Sequence, residues 1–288
     1  MRRPALTENS GLVLAERHPL PTGTAEQDPT DATGRPCAVL LSLNRPDSLN
    51  PLDSNTVHAM AQRLAAADED PAVRVVLVTG AGRAFSAGGD LVAYRTLQRD
   101  REGFPAFLAD LHRTFDSIPL MRKPVVALVN GVTAAGGLEL VLACDLAYAA
   151  RSARIGDAHV RYGQMGGGGA LSRLPRAIGP RRARELVFSG RYLDADQACE
   201  WGLVNRVVPD EELLEAGLEF AREVAAASPL AVANAKLVMN TGWDEGTGLG
   251  QSLRVERERT SYYCVTSDDA PIGLEAFAAK QTPHYRGR

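Results

Sequence analysis

Glu139 stands between Leu138 and Leu140 at the start of a helix, directly after a turn of small residues from Asn130 to Gly137. Small residues there leave peptide N–H groups open near a helix N-terminus, where partial positive charge gathers. A carboxylate so placed is either a surface acid satisfying the dipole or a catalytic one. His159 follows Gly156-Asp157-Ala158 and precedes the glycine run Gly166 to Gly169. An isolated histidine is either structural or a proton carrier, with a reference pKa of about 6.5. Ser86, within Ala84-Phe85-Ser86-Ala87-Gly88, is similar to a nucleophile elbow. Alanine replaces the first glycine, however, and the serine lies several residues beyond its strand. Thr79-Gly80-Ala81-Gly82 invites a dinucleotide fingerprint that fails at Phe85, where glycine is required. A third reading of Gly80 to Asp90 is a loop offering backbone N–H groups to an anion.

The elements that must position these residues follow from apolar patterning. Val125 to Val129 is a buried strand, bounded by turn residues. Leu12 to Ala15, Ala38 to Leu43, Val73 to Val78 and Leu146 to Ala149 read as further strands. Proline and glycine between Pro19 and Pro36 predict a long, mobile hairpin loop. A helix capped by Asp53 or Ser54 buries Val57, Met60, Ala61 and Leu64. Phe104, Phe107, Leu108, Leu111 and Phe115 repeat at helical spacing as core, and Gly156 to Gly169 is irregular. Helices are expected at about Arg181 to Ser189, Asp194 to Trp201, Glu211 to Ala226, Pro229 to Met239 and Leu249 to Val265. Strands alternating with helices, then a helical tail, define an α/β chain.

Composition excludes several classes. The 288 residues are 45% hydrophobic and 23% charged, as in a globular protein. A net charge of -3 and pI near 6.0 offer no basic field for nucleic acid. Apolar runs fall short of a membrane span. Met1-Arg2-Arg3-Pro4 has no apolar core behind it, so no secretory signal is expected. Cys37, Cys144, Cys199 and Cys264 are scattered, which predicts reduced thiols in the cytoplasm and no zinc site.

Taken together, the loops resemble the enoyl-CoA hydratase/isomerase (crotonase) superfamily. The matching blocks are Asn44-Arg45-Pro46 with Leu49-Asn50, AFSAGGD from Ala84 to Asp90, KPVVALVNG from Lys123 to Gly131, and GGLEL from Gly136 to Leu140. Cys144-Asp145, the stretch from Ser189 to Val208, and Ser267-Asp268-Asp269 through Pro283 extend the match. The resemblance implies a ββα spiral core over residues 38–210 and a helical trimerisation region over 211–288. Residues 1–37 stand before them as a strand and loop. It also implies an acyl-CoA thioester substrate, coenzyme A only as part of that substrate, no metal, and a homotrimer or dimer of trimers.

By resemblance, the Ala87 and Gly136 amides form an oxyanion hole, a device worth a few kcal/mol per donor. Arg83 matches a basic position at the coenzyme phosphates. Ala84, Ser86, Ala87, Asp90 and Leu91 run along the coenzyme, and Phe277 and Lys280 reach it from a neighbouring subunit. Glu139 matches the first of two hydratase carboxylates. At the second, His159 stands where glutamate is expected, and Glu139 nearby would favour its protonation while burial opposes it. The resemblance implies hydration of a 2-enoyl-CoA. It leaves open a C–C bond hydrolase of the β-diketone type, whose aspartate is replaced by Gly168, and an acyl-CoA-binding role with weak hydration. Arg161 and Tyr162 face either a polar or carboxylated acyl chain, or solvent or a subunit contact.

Overall fold

The computed structural model describes residues 11–20, 35–244, 246 and 248–288. Most of the expected hairpin loop lies outside these residues. In chain order, β1 (Val13–Pro19) and β2 (Cys37–Leu43) pair antiparallel, with Val13 opposite Leu43. α1 (Ser54–Glu69) follows, its Thr56 amide capped by the Asp53 carboxylate. Then come β3 (Val73–Gly80), β4 (Ala84–Ser86), α2 (Leu91–Leu97) and α3 (Gly103–Leu120). β5 (Val125–Val129), β6 (Val132–Ala134) and α4 (Gly136–Ala143) form the next unit. β7 (Leu146–Ala150), β8 (Arg154–Gly156), α5 (Ala170–Ile178) and α6 (Pro180–Ser189) form another. β9 (Tyr192–Asp194), α7 (Ala195–Glu200) and β10 (Arg206–Val208) lead into α8 (Leu213–Ala225), α9 (Pro229–Asp244), α10 (Leu249–Thr266) and α11 (Asp269–Ala279).

The strands divide between two sheets. The larger has the order β1-β2-β3-β5-β7-β10, parallel beyond the first pair, and the smaller has the order β4-β6-β8-β9. Each unit sends its long strand to the large sheet and its short one to the small sheet before turning into helix. This is the expected α/β ββα spiral with a helical C-terminal region. All five residues of β5 are buried, as a central parallel strand covered on both faces must be. β1 closes one edge of the large sheet and α8 packs on its outer face through Leu213, Ala216 and Ala221. The sheet and its cover therefore draw on all three segments marked off in the sequence.

β4, β6, β8, β9 and β10, of three residues each, and helices α2 and α5 were not foreseen. Three residues are too few to show period-two patterning, and α5 contains Pro175 and starts straight from the glycine run. α3 also differs from a plain core helix. Phe107, Leu111 and Phe115 are buried, but Phe104, Leu108 and Leu111 also form one wall of a cavity.

Candidate active site

Two asparagines fix the loop between β3 and β4. Asn50 donates from Nδ2 to the Ala81 and Ala84 carbonyls, and Asn130 donates to those of Gly80 and Gly82. Ser86 completes the clamp: its buried hydroxyl donates to the Asn50 carbonyl (2.8 Å) and accepts from the Gly88 amide (3.2 Å). Ala84 and Ser86 were expected along a coenzyme and Ser86 was one candidate nucleophile. Both side chains are buried and border no part of the cavity, while the Ser86 hydroxyl and the Ala84 carbonyl hold the loop.

The direction of the next amides departs from expectation. The Ala87 N–H donates to the Leu49 carbonyl at 2.9 Å, so it is turned into the fold. Gly88 then takes φ +97°, which an L-residue adopts only under strain. Gly89 sits in a parallel bridge to Leu52, built by Leu52 N–H to Gly88 O (2.8 Å) and Asp90 N–H to Leu52 O (3.4 Å). In such a bridge the central residue's own N–H points away from its partner. No acceptor among the described residues meets the Gly89 amide. The same holds for Gly136, whose amide opens α4. The carbonyl carbon bonded to Gly89 N lies 3.7 Å from where a Gly136 Cβ would stand. Gly89 thus replaces Ala87 as the open amide beside Gly136.

Ala135, at φ 49° and ψ −118°, turns the chain from β6 into α4. Its amide donates to the Asp157 carbonyl at 2.9 Å, which ties this turn to the loop after β8. Glu139 is buried within the first turn of α4. Its Oε1 accepts from the Gly168 amide (2.7 Å) and the Ala170 amide (3.2 Å). A Cβ on Gly168 would stand 2.5 Å from Oε2, so the glycine leaves that oxygen its space. Oε2 meets no hydrogen-bond donor among the described residues, and Glu139 borders the cavity.

Across the same loop, His159 Nδ1 lies 3.0 Å from the Asp157 carboxylate, which is fully buried. Burial alone would lower the His159 pKa. The hydrogen bond and charge of Asp157, with Glu139 adding to them, outweigh it and hold the pKa above its ordinary value. Asp157 fixes the ring so that Nε2 is the nitrogen left for other chemistry. It is a site residue that sequence reasoning missed, although its spacing two residues before His159 was visible.

Glu139, His159, Gly89 and Gly136 border one cavity of about 940 Å³, together with Ala87, Asp90 and Leu91. The Asp90 carboxylate caps α2 at the Val92 and Ala93 amides and pairs with Arg45, and these contacts hold its pKa below the usual range. Arg83 is exposed and does not border the cavity. Arg161 stacks over the Tyr192 ring, 5.8 Å from its centroid, and is not part of the cavity wall. Phe277 and Lys280 are exposed at the end of α11, outside the cavity of their own chain. Among the described residues no cluster of three or more His, Cys, Asp or Glu could hold a metal, and no helix is long and apolar enough to cross a membrane.

A buried carboxylate, a histidine–aspartate pair and two open amides around one cavity can stabilise a developing oxyanion while moving protons. The family model for enoyl-CoA hydratase/isomerase matches residues 37–288, and the chain belongs to that family. A probable enoyl-CoA hydratase, echA8, of Mycobacterium tuberculosis is 33% identical over 249 residues, covering 86% of this chain and 94% of the relative. A carnitinyl-CoA dehydratase of Salmonella arizonae is 36% identical over 250 residues, covering 86% and 94%. The crystal structure of an enoyl-CoA hydratase from Bacillus anthracis superposes with a TM-score of 0.82 at 35% identity, covering 87% of this chain and 96% of that one.

Proposed function

We propose that the cavity takes the acyl part of a coenzyme A thioester and that the enzyme hydrates a 2-enoyl-CoA to a 3-hydroxyacyl-CoA. The observation that carries this reading is the pair of open amides, Gly89 and Gly136, beside a buried carboxylate with one oxygen free. In this scheme the thioester carbonyl oxygen accepts from both amides. Glu139 Oε2 takes a proton from water as the water oxygen bonds to the β-carbon, and the electron pair moves to the thioester oxygen as an enolate. The imidazolium of His159 gives its Nε2 proton to the α-carbon as the carbonyl re-forms. The proton on Glu139 then returns to His159 through water, which closes the cycle. The hydratase and dehydratase names of the relatives support reversible addition of water as the type of chemistry.

Loss of enoyl absorbance with crotonyl-CoA and longer 2-enoyl-CoAs tests the proposal. No loss at any chain length would end the hydratase reading. Phe277 and Lys280 would serve the coenzyme of a neighbouring copy, in a homotrimer or dimer of trimers. The four cysteines are free thiols, in keeping with a cytoplasmic setting.

The Asp157–His159 pair also favours a second reading, hydrolysis of a C–C bond in a β-diketone. That reading lacked an aspartate at Gly168, and Asp157 supplies one from the other side of the histidine. Cleavage of a cyclic β-diketone, with crotonyl-CoA left unchanged, would select it. Acyl-CoA affinity in a protein inert to both would leave a binding role.

A further inference from the structure

The carboxylate that serves as base in the proposed hydration is held by a segment with no side chains of its own. Gly166 to Gly169 run past Glu139, and the two amides on its Oε1 belong to Gly168 and Ala170, which flank Gly169. Such a run has wide backbone freedom, so its amides keep one direction only where neighbours impose it. Part of that support is apolar and comes from α3. A Cβ on Gly167 would stand 3.0 Å from Leu108 Cδ2, and one on Gly168 would stand 3.1 Å from Leu111 Cδ2.

Gly169 meets a charge instead. At φ +117° it opens α5, and a Cβ there would stand 3.0 Å from Arg173 Nη1 and 3.6 Å from Arg173 Cζ, so the guanidinium packs on this residue. The helix itself brings it there. The Arg173 amide donates to the Gly169 carbonyl at 2.8 Å, and a helical side chain leans back over the turn that precedes it. Nη2 donates to Asp116 Oδ1 on α3 at 2.6 Å. Nη1 is buried and meets no acceptor among the described residues. An ion pair with a carboxylate as exposed as Asp116 contributes little and does not require the second nitrogen to be buried. What the buried end of the guanidinium touches is Gly169, between the two amides that hold Glu139.

We infer that Arg173 is a positioning residue: pinned to α3 through Asp116, it clamps Gly169 and so keeps the Gly168 and Ala170 amides on Glu139. The clamp is independent of any reaction, whereas its effect on turnover rests on the hydratase reading above. Hydrogen exchange of the full chain, read by mass spectrometry, tests the clamp. In Arg173→Met a peptide spanning 164–172 should exchange about tenfold faster, while peptides from β5 and α1 keep wild-type rates. In Arg173→Ala, millimolar guanidinium should restore slow exchange where equal sodium chloride does not. With crotonyl-CoA, kcat of Arg173→Met should fall about tenfold with KM within about threefold, because the amides orient a group that acts on bound substrate. Wild-type exchange over 164–172 in Arg173→Met would overturn the inference. Should β5 loosen as well, Asp116→Asn decides, since it removes only the exposed pin: faster exchange confined to 164–172 supports the clamp, and unchanged exchange overturns it. Selective loosening with undiminished kcat would overturn the effect on Glu139. Selective loosening in a protein that hydrates no enoyl-CoA would leave the clamp standing and end the hydratase reading.

Discussion

Asp157 and His159 make the pH behaviour of the site predictable. Folding raises the His159 pKa, so the stability that its charge contributes is fully present below the ordinary value of about 6.5 and fades as pH rises through the folded value. In the proposed hydration the imidazolium is the proton donor, so the turnover rate should fall across the same range. Asp157→Asn removes the charge that favours the imidazolium. The descending limb of the kcat–pH profile should then move to lower pH, a displacement that a merely structural aspartate would not cause. Gly168→Ala tests the other half of the site. Its Cβ would stand 2.5 Å from Glu139 Oε2, and turnover should fall by about 10²-fold or more with the circular dichroism spectrum unchanged. At this scale residue type left Glu139 and His159 open between structural and catalytic roles; the resemblance singled them out, and the structure places both on the cavity wall. Asp157 was not singled out at all, because only packing shows what a carboxylate faces.

The loops that follow β4 and β6 carry their function in backbone direction, and backbone direction is hard to read from residue types. In an extended chain Ala87 and Gly89 would present their amides to the same side. The left-handed Gly88 breaks that alternation, sending one amide to Leu49 and leaving the other open. Gly88→Ala would combine a strained φ with a Cβ 2.7 Å from that of Ala135. We expect a loss of about 1–3 kcal/mol in chemical denaturation together with a large fall in kcat. Ser86→Ala should behave differently. It removes a buried hydrogen bond, costing about 1–2 kcal/mol, and retains measurable turnover because the hydroxyl is not in the cavity. The long strands β2, β3 and β5 announce themselves as continuous apolar runs, and α1 by its cap and stripe. The three-residue strands of the smaller sheet leave no such mark and are defined by their neighbours.

Across the whole molecule, the C-terminal helices bind the spiral at a few buried polar points and leave apolar surface uncovered. Lys236 of α9 donates to the Ile118 and Lys123 carbonyls and pairs with Asp145 at 2.7 Å. Burial raises the Asp145 pKa, and the Lys236 ammonium opposes that rise. Lys236→Met leaves a carboxylate and two carbonyls without their cation, and a cost of about 3–5 kcal/mol should appear as a lower melting temperature. Beyond α9, Leu249, Leu253, Tyr262, Val265, Leu274 and Phe277 are all exposed. Large apolar residues in that number on neighbouring helices call for a partner surface. Sedimentation equilibrium should return a multiple of three chains, and a monomer at micromolar concentration would remove the proposed role of Phe277 and Lys280. The trimeric expectation came from the resemblance; hydropathy alone marks α10 only as a helix.

The anchoring of Glu139 by a single oxygen bears on the handedness of what the enzyme makes. With Oε1 occupied by two amides, Oε2 is the oxygen left for water, and in the proposed hydration it would take the proton from one fixed point. A flat alkene held by its thioester oxygen then shows that point one face. The alcohol formed at the new stereocentre should accordingly be a single enantiomer, and a racemic product on a chiral column would mean that the attacking water is not governed by this carboxylate.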